Sequence, residues 1–338
     1  MERGNQIMSG TSGCHRIGIG ERAVCLVFLM VTVLSVTGCT PQIKDPYVME
    51  SRLSALSDLA VGSYYMDGFA SDLCVIGDES SFDQEFATSE AAALFDVNNK
   101  EVLYSKNAYE RLYPASITKV MTALVAIKHA DLKERVVVTE EAMVTEEGAT
   151  LCGIRPGDTL TMEQLLYGLM LPSGNDAGAA IAIHMAGSIE GFAEMMNEEA
   201  AALGATGTHF INPHGLNDPN HYTTAYDLYL MFNEALKYPV FRQVIGTKEY
   251  TANYHDKDSQ PVSKTWKGGN WFMTGERETP EGLTVFGGKT GTTQSAGYCL
   301  IMGTKDSGDK EYISVVLKAD SRSGLYDNME NIISEIVK

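Results

Sequence analysis

Three short motifs in this chain carry groups that can do nucleophilic chemistry together: Ser116-Ile117-Thr118-Lys119, Ser173-Gly174-Asn175 and Lys289-Thr290-Gly291. Ser116 and Lys119 stand three apart on a predicted helix, which places both on one face. A serine hydroxyl is a poor nucleophile until a neighbouring base takes its proton. Lys119 is the candidate base, provided its pKa falls from about 10.4 toward 7–8, a shift of roughly 4 kcal/mol. Burial and a second cation both lower a lysine pKa, and Lys289 is the available cation. Ser173 lies at a turn between two apolar helical patterns, where it can relay a proton, and the Asn175 amide can orient a peptide bond. Lys289 and Thr290 can hold a carboxylate, and Gly291 allows a substrate backbone to approach the strand closely. With that strand next to Ser116, the backbone N–H groups of Ser116 and Thr292 form a candidate oxyanion hole, at ~2.7–4 kcal/mol per donor. Each motif alone is compatible with a capped helix or a polar turn. Together, in this order, they describe acyl transfer through a serine.

The elements that must position these groups follow from periodicity. Ala91–Val97 and Glu101–Tyr104 flank Asn98-Asn99-Lys100 and predict a β-hairpin. From Ser116 to about Ala130, Val120, Met121, Leu124, Val125 and Ile127 recur at helical spacing. Further helical patterns cover Met162–Met170, Ala177–His184, Ile189–Leu203 and Thr224–Leu236, with Pro172 stopping the first. From Leu283 the pattern becomes β-like: Leu283–Phe286, Tyr298–Gly303 and Tyr312–Lys318, the last two joined by a hairpin loop at Asp306–Lys310. Asn328–Val337 reads as a final helix. Leu73–Ile76 looks strand-like, and Asn253–Thr279 reads as a long polar, Gly-rich loop in which Trp266 and Trp271 supply packing. Strands early and late with helices between make an α+β chain, helices on an antiparallel sheet.

Composition narrows the setting. The 338 residues are 44% hydrophobic and 21% charged, as in globular proteins. A net charge of −18 argues against nucleic acid and against a polybasic grip on lipid. Arg3, Arg16 and Arg22 precede an uncharged apolar run, Ala23–Val36, too short for a span of ~20 residues but suited to a signal-peptide core. The run ends in Val36-Thr37-Gly38-Cys39, which resembles the lipobox of bacterial lipoproteins and makes Cys39 the expected lipidated residue. The expected organisation is a signal over 1–38, a tether and lead-in over 39–86, and a catalytic domain over 87–338. Only Cys74, Cys152 and Cys299 lie in the body of the chain; without CxxC or metal spacing, they read as small buried hydrophobes.

The segments around the motifs carry more than the motifs do. Tyr113–Ala123, Leu171–Ala177, Asn212-Pro213-His214-Gly215-Leu216 and Tyr222–Leu228 resemble the serine-type D-alanyl-D-alanine carboxypeptidases, the low-molecular-mass penicillin-binding proteins of peptidase family S11. The likeness runs from about Ala91 to Lys318. It implies a β-lactamase-like fold in which the antiparallel sheet faces an all-helical subdomain and the active site lies between them. It implies that Ser116 attacks the carbonyl between two D-alanines of a peptidoglycan stem peptide while Lys119 takes its proton. By the same likeness Ser173 passes a proton to the leaving D-alanine, Lys289 and Thr290 hold its carboxylate, and Asn175 binds the acyl side. β-Lactams are the implied inhibitors and no cofactor is implied. A C-terminal β domain, common in the family, is not expected, so attachment falls to lipid on Cys39.

Several rivals share some of these features. A class A β-lactamase has Asp where Gly174 stands, and uses a glutamate to activate water; Thr206–Asn217 contains none. A metallopeptidase would need ligand spacing that His184, His209, His214 and His221 lack. A penicillin sensor would keep the pocket without turnover. Endopeptidase and transpeptidase activities use the same acyl-enzyme and differ only in the bond cleaved or the acceptor.

Overall fold

The computed structural model describes residues 72–338. The signal, Cys39 and a helical pattern near Met49–Ala60 lie outside them.

Strand β1 (Ala91–Asp96) is buried at every residue. Ala91, Ala93 and Phe95 enter one hydrophobic core, and Ala92 and Leu94 enter a second on the opposite face. A strand covered on both faces is apolar throughout instead of alternating, which is how this segment reads. Asp96 ends the run and stays buried because its carboxylate accepts the Asn98 and Asn99 N–H groups at 2.9 and 2.8 Å. The main sheet is antiparallel in the order β2 (Glu101–Lys106), β1, β9 (Glu311–Ala319), β8 (Gly297–Asp306), β7 (Leu283–Thr293). β7 is therefore an edge strand.

The helices, in chain order, are α1 (Lys119–His129), α2 (Met162–Met170), α3 (Asn175–Ala186), α4 (Ile189–Ala202), α5 (Ala225–Ala235), α6 (Pro239–Gly246), α7 (Trp271–Thr274) and α8 (Arg322–Ser334). α1 is central: Val120 through Ala126 are all buried, against α2, α4 and α5. A buried leucine or valine contributes roughly 1.5–3 kcal/mol, so this helix is fixed hard against its neighbours. α5 packs on β1 and β9, and α8 covers the other face of the sheet.

Four expectations are revised. The helical subdomain also holds a small antiparallel sheet, β3 (Arg135–Val137), β4 (Thr159–Thr161), β5 (Glu249–His255) and β6 (Pro261–Lys267). The stretch read as a loop over Asn253–Thr279 thus contains much of a hairpin. One face of that hairpin is wet, and only Ala252, Tyr254 and Trp266 are buried, so polar residues dominate its sequence. Leu73–Ile76 forms no strand; the Cys74 N–H donates to the Tyr229 hydroxyl at 2.9 Å, and the Tyr226 hydroxyl donates to the Cys74 carbonyl at 2.9 Å. Side chains of α5 thus replace a strand partner. The last helix starts at Arg322, because Ser321 caps it by accepting the Gly324 N–H at 3.0 Å.

Candidate active site

The three motifs meet where a turn, a helix break and an edge strand converge. Ser116 lies in a 3-10 turn, Ala115–Thr118, and Lys119 is the first residue of α1. Lys119 is completely buried. Its Nζ lies 2.8 Å from Ser116 Oγ, 2.7 Å from Asn175 Oδ1 and 2.9 Å from the His214 carbonyl oxygen. Two of these partners are acceptors only. A neutral amine supplies two N–H donors for them and a lone pair for the Ser116 O–H. Burial holds the Lys119 pKa well below the ordinary lysine range, the charge of Lys289 lowers it further, and Asp176 opposes them.

The second motif bridges α2 and α3. Ser173 adopts a left-handed conformation, φ 63°, uncommon for a residue with a side chain. Its Oγ accepts from Lys289 Nζ at 3.0 Å, and Lys289 Nζ also donates to the Thr290 carbonyl at 2.7 Å. Burial lowers the Lys289 pKa to about 7. Gly174 is glycine for want of space: a Cβ there would lie 2.6 Å from the Cys152 Cβ and 2.7 Å from the Gly168 carbonyl. Asp176 accepts the N–H groups of Cys152, Gly153 and Ile154 at 2.8, 2.7 and 3.2 Å, fixing the loop beneath the motif.

The third motif lies on β7, beside the Ser116 turn. At Gly291 the missing side chain faces this turn: a Cβ would lie 2.8 Å from the Pro114 carbonyl and 3.0 Å from the Ser116 nitrogen. It is therefore the Ser116 turn that requires the glycine, where sequence had suggested the substrate. Thr292 is exposed one residue further along. Thr293 Oγ1 donates to Asn217 Oδ1 at 2.9 Å, and Asn217 Nδ2 donates to Ser295 Oγ at 2.7 Å, tying the end of β7 to the loop after His214. Hydrogen bonds join Ser116, Lys119 and Asn175 in one set and Ser173 and Lys289 in another, and Thr290, Gly291 and Thr292 follow on the edge strand. This arrangement can deprotonate a serine next to a slot for a peptide and its carboxylate.

A family model described as D-alanyl-D-alanine carboxypeptidase, peptidase S11, matches residues 79–321. The chain belongs to this family. It is 35% identical over 237 residues to the D-alanyl-D-alanine carboxypeptidase DacF of Bacillus subtilis, covering 69% of this chain and 58% of that protein. It is 34% identical to DacC of Escherichia coli, covering 85% of this chain and 70% of that protein. The chain thus spans little more than half the length of the Bacillus relative. The crystal structure of the Streptomyces K15 DD-transpeptidase superposes with a TM-score of 0.68 at 31% identity, covering 74% of this chain and 97% of that one.

Two histidines in this S11 peptidase do more than their scatter in the sequence suggested. The Ile211 N–H donates to His221 Nδ1 at 3.1 Å, so Nε2 carries the proton and donates to Thr118 Oγ1 at 2.8 Å. The Thr118 hydroxyl donates in turn to the Ala115 carbonyl at 2.8 Å. His221 thereby holds Ala115, the residue before Ser116, itself left-handed at φ 47°. His214 supplies the carbonyl that receives Lys119. Their block-like surroundings, Asn212–Leu216 and Tyr222–Leu228, were the available signal.

Burial lowers the His214 pKa to about 3 and the His221 pKa to about 4. The unfolded chain binds protons at these histidines near pH 6.5 and the folded protein does not, so stability rises with pH. The contribution is complete above pH 6.5 and is lost as pH falls toward 4. At pH 5 each histidine is expected to cost about 2 kcal/mol. Urea unfolding at pH 7.5 and 5.0 checks this: the pH dependence should be shallower in His221→Gln, and equal wild-type stability at both pH values would refute it.

Proposed function

We propose that this protein is a serine D-alanyl-D-alanine carboxypeptidase that trims peptidoglycan stem peptides outside the cytoplasm and is acylated by β-lactams. The observation that carries the reading is the fully buried Lys119, held on Ser116 by two acceptors that leave its lone pair for the serine proton.

The reaction runs as acyl transfer. The terminal D-alanine carboxylate binds Thr290 and Lys289, whose pKa of about 7 rises again beside that anion. Asn175 Oδ1 is engaged by Lys119, which leaves its NH₂ group for the acyl side. Lys119 takes the Ser116 proton as Oγ attacks the carbonyl carbon. The Ser116 and Thr292 N–H groups receive the developing oxyanion. The C–N bond breaks, and the proton that Lys119 took passes through Ser173, which Lys289 orients, to the leaving amine, leaving Lys119 neutral again. Water then attacks the Ser116 ester, with Lys119 again as base, and releases the shortened peptide.

Among the described residues no helix is long and apolar enough to cross a membrane. The reading also includes a lipid on Cys39, supported by the apolar run and the small residues before it. The test is D-alanine release from a peptide ending in D-Ala-D-Ala. Release is expected, and benzylpenicillin should abolish it while adding one penicilloyl group. Penicilloylation without release would make the protein a sensor, and fast penicillin turnover would make it a β-lactamase. A fatty-acid label retained by Cys39→Ala would remove the anchor.

A further inference from the structure

A cleft adjoins the Thr292 end of β7, beside the candidate catalytic groups. β7 gives its direction. Lys289 and Thr290 lie on the leaving-group side, and Thr292, Thr293 and Gln294 continue past the nucleophile on the acyl side. There two adjoining clefts of about 530 and 390 Å³ share Glu147, Leu216 and Asn217, and the smaller reaches Thr292 and Thr293. Ligand sites commonly have such volumes. Glu141, Glu146, Glu147, Glu190 and Asp218 line the walls, with no lysine or arginine beside them. None of the five carboxylates is ion-paired with a described lysine or arginine.

An independent observation concerns His214, which is only 6% exposed and lines the larger cleft. Its Nδ1 accepts the Leu216 N–H at 3.4 Å. That leaves Nε2–H a donor without a partner among the described residues. An unused donor on a largely buried ring in the cleft wall fits a peptide carbonyl. Unpaired carboxylates further out fit a cation carried by the same peptide.

We propose that this cleft is the acyl-side subsite and that it selects stem peptides in which the residue before D-Ala-D-Ala ends in a free amine, as lysine does, over those whose amine is acylated or accompanied by a carboxylate. The inference rests on the carboxypeptidase reading for its natural substrate, but the charge preference belongs to the cleft itself. A lysine side chain is long enough to carry its ammonium from the acyl position toward the Glu147 wall. Several carboxylates within a Debye length of ~10 Å attract it, and salt screens that attraction.

The experiment compares two peptides, Nα-acetyl-L-Lys-D-Ala-D-Ala with its ε-amine free and the same peptide acetylated there. At low ionic strength the free amine is expected to raise kcat/KM for D-alanine release about fivefold. The gap should close in high salt and in the Glu146→Gln, Glu147→Gln double variant, whose exposed substitutions leave the catalytic groups untouched. An equal or higher value for the acetylated peptide overturns the proposal, as does a gap unchanged in the double variant. If neither peptide releases D-alanine, the carboxypeptidase reading fails, and the cleft is read instead from the acylation rate of Ser116. Ampicillin carries an amine on its acyl side chain and carbenicillin a carboxylate. Faster acylation by ampicillin, lost in the double variant, supports the subsite; equal rates or faster carbenicillin overturn it.

Discussion

Replacing Lys119 with methionine is expected to lower the acylation rate of Ser116 by benzylpenicillin about 10⁴-fold or more, at every pH. The amine is the sole candidate base within hydrogen-bond reach of Ser116 Oγ among the described residues. Methionine fills similar volume but has no proton acceptor of comparable strength. Stability should move little by comparison. The Asn175 Oδ1 and His214 carbonyl lose a donor, at roughly 1–3 kcal/mol per unsatisfied group, while the desolvation cost of a buried amine disappears. Lys119→Arg should be equally inactive, because guanidinium cannot be deprotonated in a protein. In the wild type, acylation should weaken as falling pH protonates Lys119. Mass spectrometry of the penicilloyl adduct over time, with Ser116→Ala as the blank, measures all of this. Acylation of Lys119→Met within tenfold of wild type would remove Lys119 from its role.

Gly215→Ala is expected to destabilise the protein by about 3 kcal/mol or more and to slow acylation about 100-fold. Gly215 has φ 87°, and a Cβ there would lie 1.9 Å from the Ala115 carbonyl oxygen and 2.8 Å from Thr118 Oγ1. Those two atoms are the end of the hydrogen-bond chain that begins at His221. The clash falls on rigid backbone one residue before Ser116, so relief must move Ser116. A displacement of ~1 Å is enough for the activity loss. Gly204→Ala is the control: its φ of 79° imposes similar backbone strain, but nothing lies within 4 Å of the added Cβ. That variant should lose only ~1 kcal/mol. Urea unfolding and penicillin acylation of both variants decide the matter; matching stabilities with normal acylation in Gly215→Ala would show that the turn yields freely.

The strongly periodic elements were legible before any coordinates. β1 and β2, α1 through α5, and β8 and β9 fall close to their expected segments, because each buries a contiguous apolar stripe or face, while β7 begins at Leu283 as expected and runs on past Phe286 to Thr293. The β5–β6 hairpin was not legible. One of its faces meets water, and pairs such as Thr251–Thr265, joined at 2.9 Å, resemble loop composition. Helix α6 was missed as well: it begins at Pro239, is short, and buries only Phe241, Val244 and Ile245. The role of His221 was equally hidden. A lone histidine carries no periodic signal, and its partner Thr118 is distant in sequence.

The sequence by itself set out the candidate chemistry. Ser116 and Lys119 are three residues apart on helical geometry, so their contact is local and follows from spacing. The order of the three motifs and their flanking segments determined the family. Only the tertiary structure decided whether that lysine can act as a base. Its pKa depends on complete burial, on the Asn175 and His214 acceptors, and on Lys289, all brought by distant segments. The same holds for Gly174 and Gly291, whose lack of side chains answers to Cys152, Gly168 and the Pro114–Ser116 turn. Desolvation and steric exclusion are properties of the packed interior, and no short stretch of sequence contains them.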